Sequence, residues 1–141
     1  MNNTETLRAI TENLNTILET EGLHLVRENY ENAKNVPSSI FPYGVISYDG
    51  ETFEYTHGQR PGYSDVDFSV KVVLRNKDLR AMTDDEQRWA HRIRKVLTVN
   101  AINSGLISAT SPVSRVITRS VTVEKAGYVS RLIYSLSIRY R

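Results

Sequence analysis

The alternation that closes this chain constrains its fold more than any other feature. Leu132, Tyr134, Leu136, Ile138 and Tyr140 fall at every second position, and Arg131, Ser135, Ser137, Arg139 and Arg141 lie in the alternate register. A period of two sends the apolar side chains to one face of a strand and the polar ones to the other, so this is a half-buried strand that something must cover. The run Val116 to Glu124 is equally rich in Val, Ile and Thr, and Lys125-Ala126-Gly127 offers a short turn whose glycine can take positive φ. Residues 114–141 therefore read as one long β-hairpin. Its second strand reaches the last residue, and Ile138 to Arg141 either end tied into a sheet or pass beyond the body of the subunit.

The cover has to come from two amphipathic helices upstream. Leu7, Ile10, Leu14, Ile17 and Leu18 share one face of a helix expected over residues 4–21, with Asn2 and Glu5 in a capping arrangement and Gly22 as the stop. Glu5, Glu12 and Glu19 recur seven apart and form an acidic stripe on another flank. A second helix is expected over residues 83–100, opened by a Thr83-x-x-Glu86 capping box with Asp84 and Asp85 in its first turn. It buries Trp89, Ile93, Val96 and Leu97 and carries Arg88, Arg92 and Lys95 on a separate flank.

Between the helices lie the remaining strands. Residues 23–28 are a weak strand and 29–39 a loop; residues 40–48 form a strand that Pro42 confines to an edge or a bulge. Asp49-Gly50 is a hairpin turn signal leading to a strand over 51–57, and Gly58 to Ser64 has the Gly, Pro, Arg and Tyr content of a projecting loop. Val66, Phe68, Val70, Val72 and Leu74 then alternate without interruption, which marks the central strand. The order predicts one α+β domain over residues 1–141, a mainly antiparallel sheet with two helices packed on one face and a projecting hairpin loop.

Composition narrows the function. A chain of 141 residues suffices for one core, and without cysteine there is no disulfide, thiol nucleophile or thiolate metal site. His24, His57 and His91 lack metal-ligand spacing, no apolar run reaches the ~20 residues of a membrane span, and the polar start is not a signal peptide. No cofactor and no membrane partner are expected, and synthesis belongs in the cytoplasm. The net charge of +2 divides unevenly: Met1 to Asp67 holds eleven acidic and four basic residues, Phe68 to Arg141 five acidic and fourteen basic. Such a split suits a basic nucleic-acid face or oppositely charged surfaces that attract copies of the same chain.

Gly62-Tyr63-Ser64-Asp65-Val66-Asp67-Phe68 resembles the Ser-Asp-x-Asp strand of polymerase-β-like nucleotidyltransferases. In that family two carboxylates at alternate strand positions hold magnesium against nucleotide phosphates. Asp65 and Asp67 have the spacing, but the Gly-Ser turn expected about ten residues upstream is absent, and both residues equally fit the polar register of the central strand. A nucleic-acid-binding module is the other alternative, resting on Arg88, Arg92, Lys95, Arg115, Arg119, Arg131, Arg139 and Arg141, with Tyr128, Tyr134 and Tyr140 as stacking residues or, in their apolar register, as core.

As a whole the layout resembles the tail terminator and tail completion proteins of long-tailed bacteriophages. The likeness lies in the chain length, the opening helix Leu7 to Leu18, the hairpin with its Gly58 to Ser64 loop, the strand Val66 to Leu74, the helix Thr83 to Asn100 and the terminal hairpin. It implies a non-enzymatic virion protein: a homo-hexameric ring that caps the tail tube, stops its polymerisation and offers a joining surface to the head connector, with DNA passing through the lumen without sequence-specific binding. The residues expected at subunit or ring-stacking interfaces are Glu5, Glu12, Glu19, Arg60, Tyr63, Arg88, Arg92 and Lys95. In the pairing considered, the acidic stripe of one copy meets the basic stripe of the next; the alternatives are solvated stripes or stripes that meet within one subunit.

Overall fold

A computed structural model describes residues 3–26, 37–55, 61–104 and 113–140. It is an α+β domain. Helix α1 (Asn3–Thr20) leads through the short strand β1 (His24–Leu25) and a 3-10 turn (Ser38–Ile40) to β2 (Tyr43–Tyr55) and β3 (Pro61–Arg75). Helices α2 (Leu79–Val96) and α3 (Val99–Ser104) follow, and the chain closes with β4 (Val113–Ala126) and β5 (Val129–Tyr140). The five strands form a single sheet in the order β1-β2-β3-β5-β4, antiparallel at every pairing except β1 with β2.

The alternation of β3 and β5 dictates how the layers stack. Register sets Phe68 opposite Leu136 and Val70 opposite Tyr134, so Val66, Phe68, Val70, Val72, Leu132, Tyr134, Leu136, Ile138 and Tyr140 share one face and are fully or almost fully buried. The helices cover that face: Ile10, Leu14 and Leu18 of α1, Ile93 of α2, Leu97 just beyond it and Ile102 of α3 enter the same core cluster. Each such side chain contributes about 1.5–3 kcal/mol relative to exposure. Tyr134 and Tyr140 are core residues, while Tyr128 lies exposed in the hairpin turn.

The last strand ends tied into the sheet of the same chain. Ile138 is paired with Val66 on one side and Val116 on the other, and Tyr140 with Ser64 and Val113. Apolar burial on both flanks leaves no free tail before Tyr140.

The expected Asn2 cap of α1 lies outside the described residues, but the end of the helix is well defined. Leu23 N–H donates to the Leu18 carbonyl and Gly22 N–H to that of Glu19, with Gly22 at φ 92°, a Schellman arrangement that buries Leu18 and Leu23 together. A Cβ at Gly22 would meet no atom within 4 Å, so only the backbone conformation opposes substitution. Gly22→Ala should therefore cost about 1 kcal/mol in a urea melt, without changing the fold.

Three expectations need correction. Asp49-Gly50 is no hairpin turn: β2 runs through it, with a register shift between Tyr48 and Gly50 and Gly50 at φ 117°, so the two expected strands are one bulged strand. That strand begins only at Tyr43, after the Pro42 that cannot donate to a ladder. Second, Pro61 to Ser64 belong to β3 rather than to a projecting loop, because Ser64 is paired with Phe53 and Tyr140; residues 56–60 lie outside the described residues. Third, α2 starts at Leu79, four residues before Thr83, because the Asp78 carboxylate accepts from Arg80 N–H and caps it there. Glu86 is then not a capping residue. It is buried, accepts from the Ser130 hydroxyl at 2.6 Å and meets Lys125 Nζ at 3.1 Å, which ties α2 to the terminal hairpin.

Candidate functional site

Facing away from the helices, the sheet carries Tyr63, Asp65, Asp67, Ser69, Lys71 and Val73 of β3 in line. At one end of this face Tyr43, Val45 and Val73 form a second small cluster under Ile40 and Phe41. At the other end the register brings Asp65 opposite Arg139, and Arg139 opposite Arg115 of β4. This charged cluster is the most organised polar feature of the described residues.

Asp65 is held in a fork. Arg139 Nε donates to Oδ1 at 2.9 Å and its terminal nitrogen to Oδ2 at 3.1 Å, while Arg115 stands 3.6 Å from Oδ2. The Arg139 guanidinium also lies 3.6 Å from the centre of the Tyr63 ring, in cation–π contact. The hydrogen bonds from Arg139 hold the Asp65 carboxyl below its ordinary range; burial opposes them, and the charges of Arg139, Arg115 and Arg119 add to the lowering. A divalent cation on Asp65 and Asp67 would have to displace Arg139 and sit among those cations. Among the described residues no three acidic or histidine side chains gather in a metal-binding group.

A second polar constellation lies on the helix side, towards the end of β2 and the start of β3. The Glu51 carboxylate accepts from the Tyr48 hydroxyl at 2.9 Å and the Tyr140 hydroxyl at 2.7 Å. Burial, then the bond to Glu51, drives the Tyr140 hydroxyl far above its ordinary pKa, so it stays protonated near neutrality and donates to Glu51. Tyr48 and Phe53 remain about half exposed there. A groove of about 450 Å³ between α1 and the α2–α3 bend is lined by Asn13, Ile17, Glu21, Lys95, Thr98 and Ser104. Its acid, Glu21, is already bound by Arg92.

The expected interface residues are scattered among these features. Glu5, Glu12 and Glu19 are exposed on α1. Arg88 is exposed and meets Asp85 at 3.5 Å one turn earlier. Arg92 lies 4.6 Å from the Trp89 ring centre and donates to the Glu21 carboxylate at 3.1 Å and the Glu21 carbonyl at 2.8 Å. The two helices thus meet within the chain through Glu21, which lies outside the acidic stripe. Lys95 is exposed beside the groove, Tyr63 is under Arg139, and Arg60 lies outside the described residues.

Sequence reading did not find the Asp65–Arg139–Arg115 cluster. Its members come from three strands, and only the register of the closed sheet joins them. The available signal was the parity of β5, which placed Arg139 on the same face as the polar residues of the hairpin. Comparison with known families and with characterised proteins finds no match to the chain. No helix among the described residues is long and apolar enough to cross a membrane.

Proposed function

We propose that this chain is a structural subunit of a ring that caps a phage-type tail tube, stops its polymerisation and presents the surface to which the head connector joins. The observation that carries this reading is the distribution of exposed large apolar side chains. Tyr48, Phe53, Ile117 and Val123 stand on the outer strands β2 and β4, and Tyr128 on the hairpin turn, each at 38% exposure or more. Side chains of this kind gathered at the margins of one sheet are what an assembly subunit presents to its neighbours. The carboxylate of the nucleotidyltransferase-like motif is meanwhile engaged by two guanidiniums. The cluster of Arg115, Arg119 and Arg139 favours nucleic-acid binding as a second reading, although Asp65 sits at its centre.

Sedimentation of the full chain over a range of concentrations, with electron microscopy of the product, tests the proposal. The expected product is a closed ring, six-fold by the family resemblance, that limits tube length when added to its polymerising tube protein. A monomer at every concentration, or unaltered tube growth, overturns the reading. Tight binding to DNA that weakens steeply with salt would transfer support to the second reading.

A further inference from the structure

Among the described residues the sheet ends in two different edges. β4 is the last strand on one side and pairs only with β5. On the other side β1 covers β2 only at Tyr43 and Gly44, so among the described residues no strand lies beyond residues 45–55 of β2. The edges differ in charge. β2 contains Asp49, Glu51 and Glu54 and no basic residue, whereas β4 contains Arg115, Arg119 and Lys125 against the single acid Glu124.

They also match in what they expose. Four of the six large hydrophobic side chains found exposed lie on these two strands: Tyr48 and Phe53 on β2, Ile117 and Val123 on β4. Register sets Tyr48 opposite Phe68, Phe53 opposite Ser64 and, on the other edge, Val123 opposite Leu132. All three exposed residues therefore lie on the helix side of the sheet, where two sheets set edge to edge would bring them into one layer.

Strand direction fits the same arrangement. β2, β3, β5 and β4 are antiparallel in succession, so β2 and β4 run in opposite senses. Rotation about an axis along the strands preserves those senses, and β4 of one copy then meets β2 of the next as an antiparallel pair. Contact through like edges would set acid against acid or base against base. Each edge also carries a bulge, between Tyr48 and Gly50 in β2 and between Thr118 and Ser120 in β4, so backbone pairing is confined to short runs and side chains must select the partner.

We infer that the β4 edge of one copy pairs with residues 45–55 of β2 in the next, in a head-to-tail contact that repeats around a ring. The inference rests on the ring reading above and replaces the helix-to-helix pairing of charged stripes as the closing contact. A heterologous contact of this type closes if its rotation divides a full turn and otherwise grows as a filament.

The test uses two double variants of the full chain, all at exposed positions. Arg119→Glu with Val123→Glu makes the β4 edge acidic; Thr52→Lys with Phe53→Lys makes the β2 edge basic. Each alone, with wild-type circular dichroism, should need at least ten-fold more protein to assemble, and an equimolar mixture should recover rings containing both. Should a double variant fail to fold, Arg119→Glu and Thr52→Lys alone are read in the same way, with a smaller shift. The inference is overturned if both variants assemble like wild type, which places the contact elsewhere. It is also overturned if the β2 variant alone assembles normally, which indicates a β4-to-β4 contact, or if the mixture fails to assemble. In all three cases the wild-type ring still stands; a monomeric wild type instead removes the ring reading and the edge contact together.

Discussion

Replacing Asp65 with Ala should destabilise the fold by about 2–3 kcal/mol, whereas Asp67→Ala should cost less than about 1 kcal/mol. Asp65 is only 20% exposed and receives two charge-assisted bonds from Arg139, with Arg115 at 3.6 Å. Removing it leaves those guanidiniums facing each other and strips a part-buried hydrogen-bonded pair of its anion. Arg115 Nε, already buried without a hydrogen-bond partner among the described residues, would have still less to offset its desolvation. Urea unfolding of the two variants measures the difference. Two carboxylates that served together as metal ligands would instead behave alike, each variant losing a magnesium-dependent rise in stability that the wild type shows. Such a rise in the wild type would sink the structural role assigned to Asp65.

The same residue gives a pH signature. Its carboxyl titrates below the ordinary value in the folded chain, mainly through the hydrogen bonds from Arg139, so the folded state holds fewer protons than the unfolded state around that range. Its contribution is complete above the unfolded value of about 4 and disappears as pH falls through the lower folded value. The stability gap between wild type and Asp65→Asn should accordingly be constant from pH 5 to 7 and shrink below about pH 4. A gap that widens on acidification would contradict the ion pair.

Local signals in the sequence located what is set locally. The apolar spacing of Leu7 to Leu18 and the Gly22 stop define α1 because a helix end depends on a few adjacent residues. The uninterrupted alternation of Val66 to Leu74 and Leu132 to Tyr140 defines the two inner strands because both faces are fixed by burial. Errors arose where two local signals competed. Asp49-Gly50 has the residues of a turn, yet Tyr48 opposite Phe68 and Phe53 opposite Ser64 show that pairing with β3 continues past it. Asp78 and Thr83 are both acceptable helix caps, and the earlier one prevails, which frees Glu86 to hold Ser130 and Lys125. The charged cluster was beyond local reading, since Asp65 and Arg139 meet across 74 residues of chain through strand register alone.

On β5, adjacent residues should respond to truncation in opposite ways, which tests the two-faced reading of the strand with which the sequence closes. Leu136 is fully buried opposite Phe68, inside the cluster shared by all three helices. Leu136→Ala removes three carbons from a packed site whose walls come from both the sheet and the helices, so collapse into the space is limited; the expected loss is about 2–5 kcal/mol. Ser137 is equally buried but on the opposite face, between Asp67 and Ile117, and its hydroxyl has no hydrogen-bond partner among the described residues. Ser137→Ala deletes a buried polar atom that contributes no bond, so stability should be unchanged or rise by up to about 1 kcal/mol. Denaturant melts of the two variants measure this directly. Equal losses would mean that something hydrogen-bonds Ser137 on the face away from the helices and that this face is not the helix-free surface on which the Asp65 cluster lies. A harmless Leu136→Ala would mean that the helices do not pack on the other face as a layer.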